Sequence, residues 1–453
     1  MTSSITDTKK NLITDTKKNL KNTSIGPVAV VRVHNPNFWS RIYTRHDLGL
    51  AEAYMHGDFL ATPDEAKALL DLWIANRKNL DSLWSVSSWT MHRLSALYNF
   101  FFGQSLSNAK LNVITGYDVD NQFFYKLLGS TVQYSSALWP DHIGGGVRGD
   151  LDGLSTSASK NPDDTTKSQW SPQDLDDAQV FKLKTVLGKV RVRPGDRVLE
   201  FGTGWGSLAI EAAKMGCTVD TLTLSKEQRA GAVERIRKLG LQDKITVHLL
   251  DYRNLPREFE AKFDAFVSME MVEHAGAKWL PTYFKIVDWA LKPDRAAAFI
   301  SATCTPDWRF TLYQYALFPP HSFIHSFTHL ITEDYARKYH WPNTFCPSPT
   351  YLATVAAQSW PKKMALESIE DCSEHYPRTL REWARRLQSN WGPEMTKSLI
   401  ERHPELANPE SLAIFKRKWE YLFFYAEVGY ARAYTHYTHF TFVRPENPRV
   451  LCD

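Results

Sequence analysis

From Arg197 onwards, short apolar blocks alternate with amphipathic stretches, and the period of each block sets the element it predicts. Val198 to Phe201 is a brief apolar run broken only by Glu200, the pattern of a buried strand. Ser207 to Met215 has helical periodicity and stops at Gly216, and Cys217 to Leu224 is strand-like again. Further on, Lys226 to Leu239 predicts a helix, Lys244 to Asp251 and Phe263 to Glu270 strands, Tyr283 to Leu291 a helix and Ala296 to Ala302 a strand. This alternation describes an α/β fold with a doubly wound, mostly parallel sheet. Ligands of such sheets bind at the carboxyl ends of strands, where Gly202, Asp251 and Glu270 fall.

The first part of the chain reads differently. Residues 1–26 form a polar, Lys-rich tail containing ITDTKKNL twice in tandem, a composition that suits disorder. VAVVRV then alternates like a strand. Thr62, Pro63, Asp64 and Glu65 make a helix start with a capping residue, an early proline and a reciprocal acid. Ala66, Leu69, Leu70, Trp73 and Ile74 follow on one face. Trp84, Trp89, Tyr98 and Phe100 to Phe102 crowd a nearly uncharged segment, which either lines an apolar channel or packs two parts of the protein together. The division expected is a smaller, mainly helical N-terminal domain over 27–110 and a larger domain over 111–453. Residues 141–173, rich in Gly, Ser and Asp, are expected as a flexible insertion.

Composition narrows the function classes. With 43% hydrophobic and 13% aromatic residues in 453, the chain can bury a large core. A net charge of +4 is too small to argue for nucleic acid, though it is compatible with an anionic membrane surface. The five cysteines are scattered and lack CxxC spacing, as expected of reduced thiols in a cytoplasmic protein. No apolar run of about 18 residues offers a membrane span.

The candidate chemistry gathers at the turn after the first strand. Gly202, Gly204 and Gly206 recur at spacing two, so the backbone can turn sharply and a ligand can approach where a Cβ would intrude. Neither GxGxxG nor GxxxxGK[ST] occurs there, which argues against a pyrophosphate. ExGxGWG, with Glu200 two residues ahead of the first glycine, suits an adenosyl ligand without phosphates whose cationic amino-acid end meets the carboxylate. That points to S-adenosylmethionine.

LEFGTGWG, TLSKEQ, the DYR of Asp251 to Arg253 and the EMVEH of Glu270 to His274, in this order, resemble the family of cyclopropane fatty acid synthases and mycolic acid cyclopropane synthases. The resemblance runs from about Val28 to Val443 and extends to fungal sphingolipid C9-methyltransferases and plant alkaloid N-methyltransferases. It implies a lipid-handling N-terminal domain, with DLGLAEAY from Asp47 and Gly57 matching that region. It implies that Thr223, Leu224 and Gln228 contact the ribose and adenine, and that Asp251 with Tyr252 meets the adenine edge. GYDVDNQFF, from Gly116 to Phe124, matches a family motif with Gly116 in place of its histidine; by resemblance Tyr117, Tyr134 and Ser135 close over the cofactor.

The reaction so implied is attack of an alkene on the sulfonium methyl. The resulting cation must be kept from water, and it must lose a proton if a ring is to close. Trp139, Tyr134 and Tyr376 are candidates for facing it. In the bacterial family the base is a bound bicarbonate held at five positions. By resemblance these read Ser136, Glu273, Ser301, Thr303 and Tyr376, with Ile300 instead if the segment is paired without a gap; either way the family's cysteine and histidine are gone. Backbone amides and the hydroxyls of Ser136, Ser301 and Thr303 are one way to hold the anion; the other is that Glu270 or Glu273 is itself the base, with one of two neighbouring acids raised in pKa. EMVEH, including His274, is shared by carbon and nitrogen methyltransferases.

Two histidine sets compete for attention. His321, His325 and His329 would align on one helical face, but the chemistry needs no metal and none is expected. His436 and His439 lie on opposite faces of a strand and read as structural. The leading expectation is a peripherally membrane-associated, cytoplasmic enzyme, possible as a homodimer. It would methylate an unsaturated lipid chain to give a cyclopropane or a methyl branch. An N-methyltransferase of small amines and a cofactor-binding regulator are the alternatives.

Overall fold

The computed structural model describes residues 29–80, 119–146, 148–151, 171–314, 334–342, 344–360 and 364–447. The basic tail, the aromatic stretch after Leu80, Tyr117, most of the 141–173 insertion and His321, His325 and His329 lie outside them. At the N-terminus, β1 (Arg32–Val33) pairs antiparallel with β2 (Phe59–Leu60), on either side of α1 (Asn37–His56). Only two residues of VAVVRV form strand, because the partner segment is itself only two residues long. The predicted helix start is present in α2 (Pro63–Leu80). Glu65 N–H donates to Thr62 Oγ1 at 3.3 Å and Thr62 N–H to Glu65 Oε2 at 2.9 Å, the reciprocal capping box.

After α3 (Asn121–Leu128) and α4 (Asp174–Lys189) come β3 (Arg197–Phe201), α5 (Ser207–Lys214), β4 (Thr218–Thr223), α6 (Lys226–Lys238) and β5 (Ile245–Leu249). The chain then crosses to β6 (Ala265–Met269), α7 (Leu280–Ala290) and β7 (Ala297–Cys304). After β8 (Ala365–Asp371), α8 (Tyr376–Asn390) and α9 (Pro409–Ala431), β9 (His436–Val443) ends the sheet. The order is β5-β4-β3-β6-β7-β9-β8, with β9 antiparallel to both neighbours and the others parallel. Both faces of the parallel strands are covered. Val198, Val219 and Val267 pack with α4 and α5 on one side, and Leu199, Phe201 and Phe266 with α7 on the other.

The helices α1, α2, α3, α8 and α9 share one aromatic core, in which Phe123 lies 4.9 Å from Trp419 and Tyr54 stacks edge-on near Phe424. Ala66 and Leu70 of α2 are buried in it, with Leu69, Trp73 and Ile74 alongside. The start of the 141–173 segment is anchored to the same layer. Arg378 donates to the carbonyls of Ile143 and Gly145, and the buried Asp150 carboxylate accepts from Arg381 and Arg385. No helix among the described residues is long and apolar enough to cross a membrane.

Candidate functional site

The chain turns away from β3 in one direction and returns on its other side with β6, so a crevice opens at the carboxyl ends of these two strands. Its floor is the glycine turn. Gly202, Gly204 and Gly206 have φ of 96°, 51° and 83°, in the left-handed region that glycine adopts without penalty. They serve different ends. A Cβ on Gly204 would meet nothing within 4 Å and would stand in the crevice, whereas one on Gly206 would make ordinary contact with Ala232 at 3.4 Å. Gly204 leaves room for a ligand, and at Gly206 it is the left-handed backbone that favours glycine.

The walls come from successive strand ends: Thr223, Leu224 and Gln228 after β4, Asp251 and Tyr252 after β5, Glu270 and His274 after β6, with Tyr134 across from them. The space between atoms is about 1020 Å³, part of it open to solvent. Thr223 Oγ1 donates to Gln228 Oε1 at 2.8 Å, and Ser225 caps α6 by accepting from Gln228 N–H at 3.2 Å. Asp251 is oriented by Arg253, whose Nε and Nη2 donate to it at 2.8 and 2.5 Å. Trp205 Nε1 donates to Asn121 Oδ1 at 2.7 Å, which ties α3 to the glycine turn. Glu200 is buried under the floor, its Oε2 without a hydrogen-bond partner, and burial pushes its pKa up to about 8.

A lone buried carboxylate oxygen beside a glycine turn open to a Cβ fits a cation with a slender backbone. The residues present therefore fit S-adenosylmethionine.

Behind Glu270 lies a polar nest. Glu270 has φ of 49°, unusual for a side chain of its size, and its N–H donates to Ser301 O at 3.0 Å. Its Oε1 accepts from Ser136 N–H at 3.0 Å and its Oε2 from the Tyr376 hydroxyl at 2.5 Å. Burial raises its pKa, while Tyr376, Ser136 and the charge of Lys182 oppose that rise. Glu273 Oε1 accepts from Thr303 N–H at 2.5 Å and Oε2 has no partner. Burial, reinforced by the charge of Glu270, pushes Glu273 up to about 8. Burial lowers His274 to about 4, so its imidazole is neutral at neutral pH.

Several expectations are corrected. Of the three hydroxyls expected to hold an anion, that of Ser136 donates to Ala137 O and that of Thr303 pairs with the Tyr430 hydroxyl at 2.8 Å. Only Ser301 Oγ remains, buried beside the Tyr437 hydroxyl without a well-formed hydrogen bond. Trp139 does not face the crevice. It is buried under the Arg378 guanidinium, 4.0 Å from its ring, and its Nε1 donates to His375 O and Thr379 Oγ1. Tyr376 stacks on Tyr430 with centroids 4.2 Å apart, which leaves its hydroxyl rather than its face for the site.

Two further residues reach this region: Lys182, on which no motif falls, and His439, which the strand pattern reads as structural. Lys182 is fully buried, donates to Ser135 Oγ at 2.6 Å and is lowered by burial to about 7, Glu270 opposing the shift. The signal was present: Gln179 and Lys182 sit on the apolar face of α4 with Leu175, Ala178, Leu183 and Val186. His439 is the cross-strand partner of Ser301, so it reaches the edge of this nest from β9. Both its ring nitrogens are buried without partners.

Sheet order, glycine turn and crevice define an S-adenosylmethionine-dependent methyltransferase. Mycolic acid cyclopropane synthetases match residues 104–404 of the 453, and the chain belongs to that family of methyltransferases acting on lipid acyl chains. It is similar to the tuberculostearic acid methyltransferase UfaA1 of Mycobacterium tuberculosis, 26% identical over 92% of this chain and 83% of that one. It is also similar to the cyclopropane-fatty-acyl-phospholipid synthase of Escherichia coli, 29% identical over 83% of this chain and 80% of that one. The structure of the cyclopropane synthase MmaA2 from Mycobacterium tuberculosis superposes with a TM-score of 0.53 at 21% identity, covering 74% of this chain and 98% of that one, a likeness of fold.

Proposed function

We infer that the chain methylates one carbon of the double bond of an unsaturated fatty acyl chain, giving a cyclopropane or a methyl branch. The observation that carries this reading is the buried carboxylate of Glu270 on the inner wall of the cofactor crevice, a proton acceptor where the reacting carbon would lie. The bound cofactor supplies an electrophilic methyl group on a sulfonium. The chain supplies position, shielding and a base.

In this reading Glu200 receives the cationic amino end, directly or through water, and Gly202 and Gly204 admit the ligand backbone. Thr223, Leu224 and Gln228 hold the ribose and adenine, Asp251 and Tyr252 the adenine edge, and Tyr117, Tyr134 and Ser135 close the site. The shielding is aromatic: the Tyr134 ring lies 5.6 Å from Phe124, 6.1 Å from Trp341 and 5.1 Å from Trp383. These rings close the wall behind Tyr134 against water, and Tyr134, which lines the crevice, favours a transient cation on the acyl chain by about 0.5 to 2 kcal/mol. Glu273, His274, Ser136, Ser301 and Tyr376 arrange the base region.

The 27–110 segment handles the lipid, and peripheral membrane contact is supported by Trp39 and Tyr43, one turn apart on α1 and 64% and 65% exposed. The test is mass spectrometry of lipids from cells that express the chain and are fed methyl-deuterated methionine. An added methylene bearing two deuteriums on an unsaturated acyl chain is the signature of ring closure, and three deuteriums that of a branch. Lipids without label would overturn the reading in favour of a small-amine substrate.

A further inference from the structure

We propose that Glu270 is a resident base seated where the resemblance places an exogenous bicarbonate, so that this enzyme works without bicarbonate. The inference rests on the functional reading above and specifies its proton acceptor. An anion held at the five positions would need donors, and the donors are already engaged. Ser136 N–H and the Tyr376 hydroxyl, 240 residues apart in the chain, converge on the two oxygens of one carboxylate, that of Glu270, at 3.0 and 2.5 Å. Thr303 N–H is given to Glu273 at 2.5 Å, and the hydroxyls of Ser136 and Thr303 are used within the protein. Of the three hydroxyls only Ser301 Oγ is without a partner, and it would have to hold the anion against the charge of the Glu270 carboxylate.

The backbone is shaped to put the carboxylate there. At φ 49° Glu270 is held in a conformation that costs energy for any residue with a Cβ. Such strain persists where surrounding contacts over-determine it: here the Glu270 N–H bond to Ser301 O, the two bonds to its carboxylate, and the nearby buried Lys182. Glu270 is also one of the residues lining the crevice, so it stands between the nest and the cofactor space. A base built into the chain needs no binding step and is aimed before substrate arrives.

The step is a proton transfer. A C–H bond of the methylated, cationic acyl chain breaks, the proton goes to a Glu270 oxygen, and the bonding pair forms the third carbon–carbon bond of the ring, or a carbon–carbon double bond. The carboxylic acid so formed returns its proton to solvent when the site opens.

The test uses the purified full chain, vesicles of monounsaturated phosphatidylglycerol and phosphatidylethanolamine, and S-adenosylmethionine, in buffer stripped of carbon dioxide or supplemented with bicarbonate. The wild-type rate is expected to agree within about twofold between the two conditions. Glu270→Gly suits the left-handed backbone and vacates the seat. In stripped buffer it is expected to lose roughly 100-fold or more, the usual worth of a positioned base, and to regain rate with bicarbonate. Binding of ¹³C-bicarbonate, read by NMR, is expected for Glu270→Gly and not for the wild type. A wild-type enzyme that stalls without bicarbonate, or that binds labelled bicarbonate with Glu270 in place, overturns the proposal. So does a Glu270→Gly enzyme with undiminished rate in stripped buffer. A wild type that methylates no lipid under either condition overturns the functional reading instead, and the NMR measurement still decides whether Glu270 fills the anion seat.

Discussion

If Glu200 receives the amino end of the cofactor, as proposed, cofactor binding is expected to release a proton. Its Oε2 is buried without a partner and its pKa is pushed up to about 8 from 4.5, the Thr221 hydroxyl opposing the shift. At pH 7 the free protein therefore holds it about nine-tenths protonated. A cationic amino group is received by the ionised form, so the affinity is reduced by the cost of ionising it. That cost is roughly 100-fold at pH 6 and roughly 11-fold at pH 7, a rise in affinity of about ninefold across the interval. Above about pH 7.5 the ligand's own α-amino group begins to titrate, so the window is pH 6 to 7.

The sign also carries into stability. A carboxyl group whose folded pKa is raised contributes stability below its unfolded pKa and loses it as pH rises towards 8, and bound cofactor offsets that loss. Titration calorimetry at pH 7 in two buffers of different ionisation enthalpy is expected to show about 0.9 proton released per cofactor bound. Glu200→Gln is expected to abolish the release, which separates Glu200 from Glu273, also raised to about 8. Wild-type binding with no proton release and a flat pH profile would refute the reasoning.

Gly204→Asp places a carboxylate in open crevice at φ 51°, a conformation aspartate tolerates. A stability loss of only about 1 kcal/mol and a complete loss of cofactor binding are expected, by denaturant titration and calorimetry. Retained binding would remove the glycine turn from the cofactor site. Asp150→Ala removes a fully buried carboxylate that accepts from Arg381 Nε and Nη2 at 2.9 and 2.6 Å and from Arg385. The expected cost is about 1.5 to 3 kcal/mol in urea unfolding, because the two guanidiniums lose a buried acceptor while Arg381 keeps Glu427 and Arg385 keeps Glu382. A loss below about 1 kcal/mol would mean that residues 148–151 are not anchored there.

What could be read from the chain is what local periodicity and spacing determine. The strand and helix alternation from Arg197 to Cys304, the glycine turn and the Thr62 capping box each depend on residues near one another in sequence, and each is where it was expected. The crevice wall was also legible, since a parallel sheet delivers strand ends to one edge. The partners of Glu270 were not. Ser136 lies 134 residues away and Tyr376 lies 106 away, and no local signal states which hydrogen bonds tertiary closure will make. Trp139 misled for a related reason: an aromatic residue beside a lid motif looks available, yet Arg378 covers its ring from a distant helix. Lys182 lies on the apolar face of α4, but a lysine there ordinarily extends its amine to solvent, and only tertiary closure gives it Ser135 Oγ as a buried partner.

The two acids of EMVEH sit on one turn, and two like charges that close cannot both persist in a buried site. The fold divides them by unequal donors. Glu270 receives an amide, a hydroxyl and the field of Lys182, all of which favour its ionised form. Glu273 receives one amide from Thr303, keeps an orphan oxygen and feels the charge of Glu270, all in an environment whose burial favours its neutral form. Environments that drive a pair of titratable groups apart assign their roles. Burial raises the pKa of both acids, but only at Glu270 do a hydroxyl and a cation oppose the rise, so Glu270 is the proposed acceptor and Glu273 the proposed neutral acid beside it.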